Sequence, residues 1–214
     1  MDWKVVAANY PLLLKGLLTS LQLTFVAIAF SLPLGCLIAI GRLSHRTWLS
    51  RACTAFVNVL RSNPLILILF WFYFLIPLIT GQSVNDLTSI IIAFVVFFSV
   101  YFAEIVRSGI QSVGNRQIQA GLSTGLTYAQ TMRFIVLPQA IRAMMPALIT
   151  QCIVVFQGTT VVYVIGYSEL LHTTSMIAER TVRPVEMYLA VAAIYFVVCY
   201  SASLLARRFE KGRA

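Results

Sequence analysis

Polar side chains set into apolar runs are the residues of this 214-residue chain with chemistry to offer. Gln151, Gln157, Thr159 and Thr160 fall within residues 143–167, and Arg61 falls within residues 52–79. Amides and hydroxyls cost free energy in lipid unless they meet a partner, so these four should face other protein or a watery cavity. The chemistry open to them is hydrogen bonding, either to a passing solute or between helices. Arg61 adds a cation whose long stem can snorkel to a membrane entry, and its other placement is a charge facing a pore. Cys36, Cys53, Cys152 and Cys199 lie in or beside apolar runs with no CxxC and no His at ligand spacing. They read as small buried hydrophobes and imply neither a disulfide nor a metal. Nor does any Gly-rich loop ending in Gly-Lys-Ser or Gly-Lys-Thr offer to wrap phosphates, so no ATPase or other catalytic site is expected in this chain.

The elements that must position these groups follow from composition. Hydrophobic residues make up 59% of the chain and charged ones 11%, with a mean hydropathy of +0.86, outside the range of soluble domains. The net charge of +9 sits at the ends of apolar blocks and forms no continuous stripe with interleaved aromatics, which argues against nucleic acid. Residues 17–40 run without a charge for long enough to cross about 30 Å of hydrocarbon. That block lacks a cleavage site of small residues and reads as a span, not a signal peptide. Residues 52–79 are too long for one straight helix and are divided at Arg61 and Pro64. Residues 87–103, 143–167 and 187–206 supply three more spans, with no Asp or Glu inside any of the five. Residues 168–186 read as a polar connection long enough for a short helix.

One long stretch, residues 114–146, is neither a tight turn nor a hydrophobic run. Gln117 to Ser123 is helix-compatible, Gly125 can turn the chain, and Thr127 and Gln130 stand at capping-box spacing for a second helix over 127–136, interrupted near Pro138. Ile118 and Leu122 are four apart, as are Met132 and Val136, so each piece has a sticky side. A surface loop with two amphipathic turns is the plainer alternative. An odd number of spans puts the termini on opposite sides. With the carboxy-terminus in the cytoplasm, eleven Lys and Arg lie inside against four outside, Arg61 unassigned, so the amino-terminus is periplasmic and residues 114–146 are cytoplasmic.

These residues resemble the permease subunits of bacterial polar amino acid ABC importers. The resemblance rests on Arg61-Ser62-Asn63-Pro64-Leu65, on Glu104 to Ser112, and on Gln119-Ala120-Gly121 with Gly125 and Leu137-Pro138-Gln139-Ala140. Phe70-Trp71-Phe72-Tyr73, Phe156-Gln157 and Val185-Glu186-Met187 are most similar to the glutamate/aspartate branch. The resemblance implies an all-α, polytopic chain with five transmembrane helices in the type I ABC importer permease fold. It would form a single domain over 1–214 with a coupling segment at about 114–142, in the bacterial inner membrane. The implied partners are a second permease subunit, identical or homologous, two ATP-binding subunits that hold the ATP and Mg, and a periplasmic solute-binding protein; no cofactor belongs to this chain. The coupling residues it implies are Ile118, Gln119, Ala120, Gly121, Leu122, Gly125 and Pro138, and Gln151, Gln157, Thr159, Thr160 and Arg61 are the candidates for the substrate pathway. Two positions depart from the family: Gln119 stands where glutamate is usual, and Gly158 where relatives often carry a carboxylate or amide.

A proton- or sodium-driven carrier should show inverted repeats and intramembrane carboxylates, and neither is visible. A purely structural subunit would need no mobile cytoplasmic helix. The lack of an internal carboxylate disfavours lysine or arginine as cargo. Glutamate and aspartate are the cargo that the resemblance implies, with another polar amino acid as the alternative.

Overall fold

The uncharged stretches become long helices, because a backbone in lipid must satisfy its own hydrogen bonds. The computed structural model describes residues 2–81 and 85–211, apart from the side chains of Thr80 and of residues 208–211. Helix α1 (Lys4–Ala8) is a short turn, and α2 (Tyr10–Arg42) starts on Pro11, whose missing N–H costs nothing in a first turn. Helices α3 (Thr47–Arg61) and α4 (Leu65–Ile79) form a broken pair, and α5 (Asp86–Ser112) opens where the Asn85 side chain accepts from the Leu87 amide at 3.1 Å. Helix α6 (Asn115–Ser123) is short, α7 (Tyr128–Ile165) is the longest, α8 (Leu170–Thr181) follows a left-handed Gly166, and α9 (Pro184–Lys211) closes the chain.

Four of these helices are long and apolar enough to cross a membrane, and the pair α3–α4, bent by 103°, makes a fifth crossing if it counts as one. The all-α architecture with five crossings expected from the sequence is therefore present. The bend has a local cause. Pro64 cannot donate, and Ser62 and Asn63 turn their side chains back onto the carbonyls of Asn58 and Val59, at 2.8 and 2.7 Å, satisfying the end of α3.

At the centre α2 packs on α5. Phe94, Phe98 and Phe102 line one face of α5 at four-residue spacing and are almost wholly buried, with Phe94 and Phe98 edge to face at 5.5 Å. Facing them, Gly35 lets the two backbones meet: a Cβ there would stand 2.7 Å from the Phe102 Cβ and 2.8 Å from the Ser99 carbonyl oxygen.

Two expectations are corrected. The helix starting at Thr127 is not interrupted near Pro138. It widens into a π turn at Met132–Val136 and runs on unbroken, and the extra residue in that turn relieves the clash of the proline ring with the preceding carbonyls. The same device, Trp71–Leu75, precedes Pro77 in α4. Nor are residues 168–186 merely a polar connection. Helix α8 packs between α2 and α9 and buries Leu170, Thr173, Thr174, Ser175, Ile177 and Ala178.

Candidate functional site

Three groups of residues have the geometry to act. The first is the arm formed by α6, Gly125 and the start of α7. Gly114, with φ of +75°, leads into α6, and Gly125, with φ of +85°, turns the chain out of it. Thr127 then restarts the chain as a helix: its hydroxyl accepts from the Gln130 amide at 3.3 Å while the Gln130 side chain accepts from the Thr127 amide at 2.8 Å, the capping box expected from the spacing. Along α6, Gln119, Ala120 and Leu122 are exposed. Ile118 is half-buried and lines a groove that Tyr128, Met132 and Leu137 of α7 also line, while Leu122 is open, so the two apolar residues of α6 differ in setting. Gly121 is buried against Thr131 and Ile135, which clamps α6 to the base of α7. Pro138 lies exposed just past the π turn.

Gly125→Pro is expected to leave membrane insertion unchanged and to unseat α6 from the base of α7, since proline is locked near φ of about −65° and cannot follow the turn. Membrane abundance, together with the rate of limited proteolysis within residues 114–127, checks this.

The second group surrounds a cavity of about 390 Å³ between α4, α5 and α7, to which Tyr101, Gln151, Gln157 and Gly158 contribute. Gln151 is 9% exposed, and its Nε2 is buried without a partner among the described residues. A buried donor without an acceptor is unusual and marks a place where something polar can be received. Gln157 also reaches Cys199 of α9 at 3.7 Å. Thr159 and Thr160 do not line this cavity. Their hydroxyls donate to the carbonyls of Phe156 and Gln157, each at 2.8 Å, where α7 tightens into a 3-10 turn.

The third is a charge cluster. Glu104 accepts from Arg42 of α2 through one oxygen and from Arg107 through the other, while Arg61 approaches at 3.8 Å. Arg61 is the most exposed of the three arginines and lies over the Tyr101 ring, 5.4 Å from its centroid. Tyr101 therefore links the cluster to the cavity. Arg61 is neither a free snorkelling charge nor a lone one: it is propped at the break between α3 and α4.

Glu169 was not legible as part of the bundle. It is fully buried, caps α8 by accepting from the amides of Leu171 at 2.9 Å and His172 at 2.7 Å, and also accepts from Ser20 of α2 at 3.2 Å and Tyr195 of α9 at 3.4 Å. Burial raises its pKa, opposed by those amide and hydroxyl donors. The signal available in the sequence was Ser168-Glu169 before an apolar pair, a helix start.

The family model described as binding-protein-dependent transport system inner membrane component matches residues 31–214. The chain belongs to that family. This permease is 41% identical over 220 residues to the glutamate/aspartate import permease protein GltK of Escherichia coli O6:H1, covering all of this chain and 98% of that one. It is 36% identical over 198 residues to a probable glutamine ABC transporter permease protein, GlnP, of Bacillus subtilis, with 91% and 90% covered. Among solved structures, the permease superposes on a chain of an amino acid ABC transporter crystallised with histidines with a TM-score of 0.92, at 33% identity and covering 99% and 98% of the two chains. A chain of the MetNI methionine ABC transporter matches with a TM-score of 0.72 at 21% identity, a likeness of fold. The permease is thus a multi-pass inner membrane component of a binding-protein-dependent transport system, with the fold of amino acid ABC importer permeases.

Proposed function

We propose that this permease forms half of the translocation pathway of an ATP-driven importer for glutamate and aspartate. The observation that carries the mechanical part is the arm: a short helix, exposed at Gln119, Ala120 and Leu122, clamped through Gly121 to the base of a span and bounded by two glycines of positive φ. Such a helix can seat in a groove of a partner and move with it as a rigid piece, passing the motion directly into α7. The cation distribution supports a cytoplasmic position for the arm, a periplasmic amino-terminus and a cytoplasmic carboxy-terminus. On this reading two ATP-binding subunits, with their ATP and Mg, take up the arm, a second permease subunit completes the pathway, and a periplasmic solute-binding protein delivers cargo. The neutral amide of Gln119 makes a hydrogen bond there in place of a salt bridge.

The acidic cargo is supported by full-length likeness to a glutamate/aspartate permease and by the chemistry around the cavity. Gln151 offers an unpartnered donor, Arg61 has its guanidinium over Tyr101, and the two carboxylates nearest the interior are spent, Glu104 on arginines and Glu169 on amides and hydroxyls. A negatively charged side chain finds donors here, and a positively charged one finds no free acceptor carboxylate among the described residues.

Gln151→Leu separates a substrate contact from an interhelical tie. Removing an unpartnered buried amide should leave thermal stability the same or slightly raised, whereas glutamate uptake should fall by about tenfold, the worth of one donor to an ionised carboxylate. Uptake by proteoliposomes holding the whole transporter, with ATP inside, is the measurement. A loss of stability with unchanged uptake would show that the residue only ties helices. Uptake by this chain alone on an ion gradient would remove the ATP-driven reading altogether.

A further inference from the structure

At the end of the bundle that carries the arm, α2 stops at Arg42 and residues 43–46 turn back towards α6, leaving a groove of about 980 Å³. Its wall is apolar at Ile40, Ile118 and Leu137, and its rim is polar and cationic at His45, Arg46 and Asn115. The apolar wall continues beyond the groove. Above it α2 exposes Phe30, Leu37 and Ile40, each 60% or more, and α7 exposes Leu137 and Ile141, so two exposed apolar stripes lead to the cationic rim.

Arg42, four residues before Arg46, is committed to Glu104, but neither His45 nor Arg46 forms an ion pair among the described residues. In a chain that spans a membrane, an unpaired cation at the end of two exposed apolar stripes suits headgroup level, where it complements a phosphate whose acyl chains follow the stripes. A zwitterionic headgroup brings its own ammonium and gains less from Arg46.

We propose that this groove binds an anionic phospholipid, its headgroup on Arg46 and His45 and its acyl chains against Ile40 and Leu137. Because Ile118 and Asn115 of the arm line the same groove, the bound lipid also props α6 against α7. The site is independent of which amino acid is carried, so its failure leaves the proposed cargo untouched.

The test is native mass spectrometry of the full-length chain, purified in detergent with its co-expressed transporter subunits and offered dioleoylphosphatidylglycerol or dioleoylphosphatidylcholine. Phosphatidylglycerol should be retained about fivefold more than phosphatidylcholine, and Arg46→Gln should lower that retention by about fivefold. Arg46→Lys should keep it within about twofold, since a lysine is still a phosphate-binding point charge. Arg51→Gln, an exposed arginine of α3 outside the groove, should change nothing. Equal retention of the two lipids, or unchanged retention in Arg46→Gln, would overturn the proposal. So would displacement of phosphatidylglycerol by glycerol phosphate, which would mean a simple anion site. Retention by the chain purified alone that disappears in this complex would overturn it too, because a protein segment would then be the occupant.

Discussion

Glu104→Gln is expected to be the most damaging single isosteric change in the polar part of the bundle, lowering the unfolding midpoint in detergent by about 5–10 °C. The carboxylate holds Arg42 and Arg107 directly and Arg61 at 3.8 Å, so an amide leaves three guanidiniums crowded together where α2, α3 and α5 meet. Arg42 is 9% exposed and has no ready route to water, while Glu104 itself is 27% exposed, which discounts the full cost of an orphaned buried charge. A loss of about 2–4 kcal/mol remains, and for a chain of this size that corresponds to the stated shift. Arg61→Gln should move the midpoint by less than about 2 °C, because its charge is the outlying and more solvated one. The double change Glu104→Gln with Arg42→Gln should recover part of the loss. Equal midpoints for Glu104→Gln and the wild type would show that the three arginines do not depend on this carboxylate.

Gly35→Val should be equally severe for a steric reason. Its first side-chain carbon would lie 2.7 Å from the Phe102 Cβ, 2.8 Å from the Ser99 carbonyl oxygen and 3.0 Å from the Ala103 amide nitrogen, and no rotamer change can move any of the three, since a Cβ is fixed by its backbone. The helices α2 and α5 would have to separate, losing contacts along the most extensively packed pair of the bundle. Overpacking a well-packed core costs about 1–3 kcal/mol where side chains can give, so at least about 3 kcal/mol is expected where they cannot. Little folded protein should survive extraction, as read by the monodisperse fraction in size-exclusion chromatography. Phe30→Ala, on the exposed side of the same helix, should leave that fraction unchanged.

Much of this molecule could be read before its coordinates, for reasons that lie in particular residues. The bilayer forces apolar runs to be helices, so the crossings follow from hydropathy, and Arg61-Ser62-Asn63-Pro64 announces the break that the structure bends by 103°. The capping box at Thr127 and Gln130 and the turn at Gly125 are local chemistry and were equally legible. What was not legible depended on partners far apart in the chain. Pro138 looks like an interruption unless a π turn is foreseen, and nothing within a few residues dictates that turn. Glu169 looks like one charge of a polar connection until Ser20, nearly 150 residues earlier, is brought against it through the close approach of Gly16 to Leu170. The cavity was half visible: Gln151 and Gln157 announced themselves as amides in an apolar run, while the hydroxyls of Thr159 and Thr160 turn inward to their own helix. Tyr101 carried no signal of its own, since one aromatic among many on α5 cannot show that an arginine rests on it.

The claim on which the rest depends is that α6 meets an ATP-binding subunit. A cysteine introduced at Gln119, in a background where Cys36, Cys53, Cys152 and Cys199 are replaced, places a single reactive group on the exposed face of the arm. With single cysteines scanned over the co-expressed ATP-binding subunit, oxidation should give a disulfide-linked heterodimer whose yield changes when ATP is added, while a cysteine at Tyr10, exposed at the other end of α2, should give none. If position 119 instead reacts only with periplasmic partners, or Tyr10 links to the ATP-binding subunit as well as Gln119 does, the arm does not couple to the motor and the account is wrong.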